Sequence, residues 1–189
     1  MALVFRRLTD HDHAGILALQ EANLFDNLPA EARQDGFLSA RFSRDQLVQM
    51  DRDVAVLVAR DVARVVGYLC ASGVELNRQF PLLAAMIGCY GEVRFRGRAL
   101  ADQQTFVYGP VCVDRAYRGR GVLRGLSRTL LREIPARFDA GVAFVAEDNQ
   151  RSLAAHVAGL GMDDVGEFEF KGKRYRILAF SAGVAPAAG

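Results

Sequence analysis

A chain of 189 residues, 51% hydrophobic and 24% charged with a formal net charge of +2, suits one folded domain and leaves little room for two. Folding at this length buries roughly 70% of the unfolded surface, so the core needs no disulfide or metal staples. The longest apolar stretches, Val54–Ala59 and Pro81–Tyr90, fall short of the about 20 residues that a membrane-spanning helix needs. Arg6 and Arg7 interrupt the apolar start, which reads against a signal peptide. Cys70, Cys89 and Cys112 are widely spaced in apolar contexts. They are expected to be buried, reduced thiols of a cytoplasmic protein, not a disulfide framework or a metal site.

In chain order, Leu3–Leu8 reads as a first strand, and Thr9 and Asp10 offer caps to an amphipathic helix through Ile16, Leu19 and Leu24. Asn27–Gly36 reads as a loop, and Ser43 caps a second helix to Met50. Val54–Ala59 and Arg64–Ala71 form a hairpin, with Arg60-Asp61-Val62-Ala63 as the link. Pro81–Cys89 suits a short helix, and Tyr90–Gln104 an irregular segment. Strand Thr105–Val113 then leads through a glycine-rich turn into a helix from Gly121 to about Phe138. A strand at Val142–Ala146, a helix at Asn149–Leu160 and a closing hairpin of Phe168–Phe170 with Tyr175–Phe180 complete the chain. The order predicts a mixed α/β (α+β) sheet in one domain over residues 3–181, with 182–189 as a frayed tail.

Of the 24 basic residues only Lys171 and Lys173 are lysine, a skew that GC-rich codon usage by itself would produce. Placement is more informative. Seven arginines lie between Arg115 and Arg137 against one acid, Glu133, so this segment favours an anionic ligand. Strand, Tyr117-Arg118-Gly119-Arg120-Gly121, then helix is a phosphate-binding device: glycines admit close approach and the helix start presents unpaired N–H groups. Arg120, Arg124, Arg128 and Arg132 share one helix face, for which a solvated surface opposite the core is the plainer reading. A P-loop is excluded because no Gly-Lys-Ser/Thr follows. A dinucleotide fingerprint is excluded because Arg124 stands where its third glycine belongs.

From Val111-Cys112-Val113 through Arg118-Gly119-Arg120-Gly121-Val122-Leu123 the chain resembles the GNAT superfamily of acyl-CoA-dependent N-acetyltransferases. Leu123 departs from that pattern, which has a small residue there. A second block, Asn149 to His156 followed by Gly161-Met162, matches the family's Asn-x-x-Ser/Ala helix and its Gly-Phe ending, with the helix-to-glycine spacing one residue longer. Independently of the resemblance, Asn149, Ser152, His156 and Gly159 fall on one helix face and Leu153, Val157 and Leu160 on another. One face can pack while the other lines a cleft.

The resemblance implies a GNAT-like, mostly antiparallel sheet splayed at the cofactor strand and flanked by helices, with acetyl-CoA (coenzyme A) as co-substrate and no metal. By it, the pantetheine arm pairs with the backbone of Val111, Cys112 and Val113. The pyrophosphate rests on the turn from Arg118 through Gly119, Arg120, Gly121, Val122 and Leu123 to Arg124. Asn149 and Ser152 flank the cofactor near its sulfur, and His156 stands where many members carry a tyrosine that protonates the departing thiolate. An imidazole of unperturbed pKa about 6.5 is protonated in roughly a quarter of molecules at pH 7, which suits a general acid. The general base stays open among Glu92, Glu147 and Tyr108, and His11 and His13 are expected at the exposed start of the first helix.

The implied acceptor is a primary amine of a small molecule or peptide, met by Phe37, Phe42 and the segment Glu75–Gln104. There Arg94, Arg96 and Arg98 alternate. They would share one side of an extended strand, as a solvated edge or as recognition of an acidic acceptor. A homodimer is compatible with the family. Two other function classes compete: a non-catalytic acyl-CoA-binding module on the same fold, and a nucleic-acid binder. The low net charge and the lack of interleaved aromatics speak against the second of these and for no nucleic-acid partner.

Overall fold

The computed structural model describes residues 3–33 and 36–183. Strand β1 (Val4–Arg7) leads through a 3-10 turn at Asp10–Asp12 into helix α1 (His13–Glu21). α1 stops before Leu24 because that residue leaves the helix to bridge Leu38, with Leu38 N–H donating to Asn23 O at 2.8 Å. The expected loop holds a short helix, α2 (Ala30–Arg33). Helix α3 (Arg44–Asp53) starts from a reciprocal cap. Gln46 N–H donates to Ser43 Oγ at 3.3 Å and Ser43 N–H to Gln46 Oε1 at 2.8 Å.

β2 (Ala55–Asp61) and β3 (Arg64–Gly73) form the predicted hairpin. Both are buried on two faces, which explains their unbroken apolar sequence. Ala55, Leu57 and Ala59 enter one core cluster, while Val56 and Val58 enter another with Ile16, Leu47 and Met50. Next come α4 (Val74–Asn77), α5 (Pro81–Gly88) and a small hairpin of β4 (Arg94–Phe95) with β5 (Arg98–Ala99). The chain continues with β6 (Thr105–Val113), α6 (Val122–Glu133), β7 (Ala140–Ala146), α7 (Gln150–Leu160), β8 (Asp163–Phe170) and β9 (Lys173–Ser181). α6 ends five residues before the expected Phe138, since Pro135 disfavours helical backbone at the residue before it.

The seven-stranded sheet has the order β1-β2-β3-β6-β7-β9-β8, and every pair is antiparallel except β6 with β7. That parallel contact covers only Thr105–Val107 against Ala140–Val142. Beyond it β6 follows β3 through an irregularity at Gly109-Pro110 and diverges from β7, so the sheet splays. α6 covers one face with Val122, Leu126 and Leu130, and α1 and α3 cover the other.

Asp12 pins the start of the fold. Its carboxylate, with no exposure, accepts from Arg6 Nη1 at 2.6 Å, Thr9 N–H at 2.8 Å and Arg60 Nη1. Burial alone would oppose the charge. The two guanidiniums and the Thr9 donors outweigh it and hold the carboxyl well below the usual range.

Several expectations are corrected. His13 is buried, not exposed; only His11 is exposed. Cys70 and Cys112 are buried thiols with raised pKa values, but Cys89 is half-buried. Ala182, assigned on sequence to the tail, packs into the core and donates its N–H to Asp139 O. Residues 184–189 lie outside the described residues. No helix among the described residues is long and apolar enough to cross a membrane.

Candidate functional site

The splay between β6 and β7 opens a cavity of about 520 Å³. Val111, Cys112 and Val113 form one wall, and their β7-facing edge has no strand partner among the described residues. The floor is the glycine turn. A 3-10 turn at Arg115–Tyr117, capped by the Asp114 side chain, delivers the chain to Gly119 (φ 74°) and Gly121 (φ 77°). Both occupy the left-handed region that glycine enters freely, and a Cβ on either would meet nothing within 4 Å. No side chain at Gly121 caps α6, so the first N–H groups of this helix remain available as donors.

Of the residues expected to bind the cofactor, all but Arg120 border this cavity, as does His156: Val111, Cys112, Val113, Arg118, Gly119, Gly121, Val122, Leu123, Arg124, Asn149 and Ser152. Arg120 points elsewhere, over the Tyr117 ring at 5.4 Å. Among the described residues, Arg118, Arg124 and Arg151 are the arginines at the wall. Arg118 ties the turn down: Nε donates to Val113 O at 3.1 Å and Nη2 to Asn23 Oδ1 at 3.0 Å. Arg124, Arg128 and Arg132 are exposed, and of these three only Arg124 reaches the cavity.

α7 supplies the opposite wall. Asn149 Oδ1 accepts from Ser152 N–H at 3.3 Å, while Asn149 Nδ2 donates to Phe37 O at 3.4 Å. One side chain thus caps the helix and holds the loop that covers the cleft. His156, 4% exposed, donates Nδ1–H to the Ser152 carbonyl at 2.7 Å, since a carbonyl can only accept. In the neutral ring this leaves Nε2 as the lone pair. Burial pushes the imidazole pKa down, partly offset by the Ser152 carbonyl, which favours the neutral ring. Of the residues expected to pack, Leu153 and Leu160 do so, whereas Val157 is exposed.

A second cavity, about 170 Å³, shares Phe37, Leu38, Val111, Asn149, Ser152 and His156 with the first. Phe42, Phe80, Leu82, Leu83, Tyr108 and Pro110 are among its walls. Of the three base candidates only Tyr108 borders it. The Tyr108 hydroxyl meets Ser127 Oγ at 3.2 Å, and burial raises its pKa, so the phenol keeps its proton. Glu92 is exposed and Glu147 pairs with Arg174 at 2.9 Å; neither borders a cavity. The Arg94, Arg96 and Arg98 array is also corrected. Arg96-Gly97 forms the tight turn between β4 and β5, both with positive φ, so the three arginines do not line one extended side and border neither cavity.

Sequence reasoning missed Asn23, Gly36 and Leu38 on the first cavity, whereas Leu82 and Leu83 on the second fall within the expected Glu75–Gln104 segment. Nothing local marks the missed three, because the loop between α1 and α3 reaches the cavity only in the folded chain.

No protein-family model and no curated protein sequence matches the chain. Solved structures do. A GNAT-family acetyltransferase from Streptococcus agalactiae is similar with a TM-score of 0.64 at 14% identity, over 95% of each chain. The ribosomal-protein-alanine N-acetyltransferase of Brucella melitensis is similar at TM-score 0.62 and 19% identity, over 94% of this chain and 99% of that one. A Salmonella typhimurium protein assigned as an acetyltransferase and solved with its cofactor acetyl-CoA is similar at TM-score 0.57 and 18% identity, over 100% of this chain and 99% of that one. The chain has the GNAT acyl-CoA N-acetyltransferase fold.

Proposed function

We propose that this chain is an acetyl-CoA-dependent N-acetyltransferase, passing an acetyl group to a primary amine by direct attack in a ternary complex. The observation that carries this reading is the junction of the two cavities. One has a glycine turn, open helix-start amides and Arg118, Arg124 and Arg151 at its wall. The other is apolar, and His156, Asn149 and Ser152 stand at the boundary.

The residues present fit acetyl-CoA. A Cβ at Gly119 or Gly121 would occupy open space beside the helix start, where backbone N–H groups and Arg124 suit a pyrophosphate. The unpaired edge of Val111–Val113 suits an amide-bearing arm. When bound, acetyl-CoA supplies an activated acyl group on a thiol leaving group. The Nδ1–H bond to the Ser152 carbonyl orients His156 and leaves Nε2 ready to take the proton that the attacking amine sheds. The same Nε2 then returns that proton to the departing thiolate, so His156 serves as general acid only after it has accepted a proton. Backbone N–H groups of the splayed strand suit stabilisation of the developing oxyanion.

The test is thiol release from acetyl-CoA over a broad amine panel, with calorimetry of acetyl-CoA binding beside it. His156→Ala is expected to lower kcat by about 10²–10⁴-fold while acetyl-CoA affinity changes little. Unchanged kcat at saturating substrates removes His156 from the proton path. Tight binding without turnover of any amine makes the chain a non-catalytic acyl-CoA-binding module.

A further inference from the structure

The 170 Å³ cavity opens onto the His156 junction, and its walls are chemically one-sided. Phe42 and Phe80 meet edge to face at 5.5 Å, and Leu82 and Leu83 from the first turn of α5 close the same side. Arg41 is the one formally charged side chain among the described residues bordering it. It is 62% exposed and already paired with Glu21 at 2.9 Å. No Asp or Glu borders the cavity among the described residues.

Resting on the acetyl-transfer reading above, we propose that this cavity is the acceptor site and that it selects a compact small-molecule amine: a single primary amino group on an apolar aliphatic or aromatic body. A polyamine or an aminoglycoside would bring further ammonium groups into a chamber with no carboxylate among the described residues, losing their water without a partner there. An acidic acceptor would find only Arg41, in competition with Glu21. The Arg94–Arg98 hairpin, the other basic feature, lies outside. An apolar body replaces water against phenylalanine and leucine walls, and His156 on the lining, its Nδ1–H held by the Ser152 carbonyl, suits an amine arriving there to lose a proton. The volume limits the size of the body that the walls can enclose.

The experiment measures thiol release at saturating acetyl-CoA along the series ethylamine to pentylamine, with 2-phenylethylamine, spermidine, an acidic dipeptide and an apolar tripeptide. Saturation-transfer NMR with 2-phenylethylamine and calorimetry with acetyl-CoA run on the same protein. Each added methylene is expected to raise kcat/KM about fourfold until the cavity fills, and 2-phenylethylamine is expected to exceed spermidine by at least tenfold. Leu82→Trp, filling the chamber, should flatten the series and abolish saturation transfer, with acetyl-CoA affinity kept within threefold. Leu82→Ala should move the optimum to a longer amine, and it serves if the tryptophan variant does not fold.

A flat series, or faster reaction with spermidine, the acidic dipeptide or the tripeptide than with 2-phenylethylamine, overturns the apolar-amine assignment and leaves acetyl transfer standing. Saturation transfer that Leu82→Trp removes, without thiol release from any amine, supports the cavity assignment and sinks the acetyl-transfer reading instead.

Discussion

Adding one carbon at Gly121 separates what the turn does for the fold from what it does for a ligand. Gly121 has φ 77° and ψ 6°, and a Cβ built there meets nothing within 4 Å. Gly121→Ala therefore causes no clash, and its cost to the fold is the left-handed backbone, about 1–2 kcal/mol for an L-residue. For a chain of this size that corresponds to a Tm fall of roughly 2–8 °C. The ligand meets a larger effect, since the carbon stands beside the open amides of α6 and keeps a phosphate from close approach. Losing one charge-assisted hydrogen bond costs about 1.5–3 kcal/mol, or roughly 10- to 150-fold in Kd. Calorimetry with acetyl-CoA on the folded variant reads this directly. Gly88→Ala, at an exposed helix position with no atom within 4 Å of its Cβ, is the control and should leave Kd unchanged. A Kd for Gly121→Ala within threefold of wild type would refute phosphate binding at this turn.

Three further outcomes follow from the structure. Asp12→Asn leaves Arg6 and Arg60 facing a neutral group in a buried site and should cost about 3 kcal/mol in urea unfolding, with acetyl-CoA affinity intact; a loss under about 1 kcal/mol counts against the cluster. Because the Asp12 carboxyl titrates lower folded than unfolded, its contribution is present above about pH 4 and disappears as pH falls further. Gly141→Ala would put a methyl 2.3 Å from the Phe180 ring and 2.7 Å from Phe106, and overpacking of about 2–3 kcal/mol should lower Tm by roughly 4–12 °C; an unchanged Tm would contradict this packing. His156, whose pKa is lowered by burial, should place the acid limb of kcat/KM below pH about 6.5, and His156→Gln should remove that limb. The unfolded chain takes up this proton first, so stability should also fall as pH drops below about 6.5, a slope absent in the glutamine variant.

Much of the fold was legible because its signals are local. Thr105–Val113 runs as a strand over the predicted span, Ser43 caps α3, and Val122, Leu126 and Leu130 are the buried stripe of α6. The residues expected at the candidate site come together: the glycine turn and the Asn149–His156 face, each local in sequence, meet at one cavity. Misreadings arose where a residue's role depends on distant neighbours. His13 looked like an exposed helix start until α1 packed on the sheet. Arg94, Arg96 and Arg98 looked like one charged side until Arg96-Gly97 turned the chain back on itself.

The sequence by itself determined the elements, their order and the phosphate-suited turn, since periodicity, caps and glycines act within a few residues along the chain. Only the tertiary structure decided that Arg118 anchors Asn23, that His156 is buried with Nδ1–H held by the Ser152 carbonyl, and that Phe42, Phe80 and Leu82 line a chamber with no carboxylate among the described residues. Burial, protonation state and cavity shape arise from groups far apart in the chain, and those groups meet only after the sheet has splayed between β6 and β7.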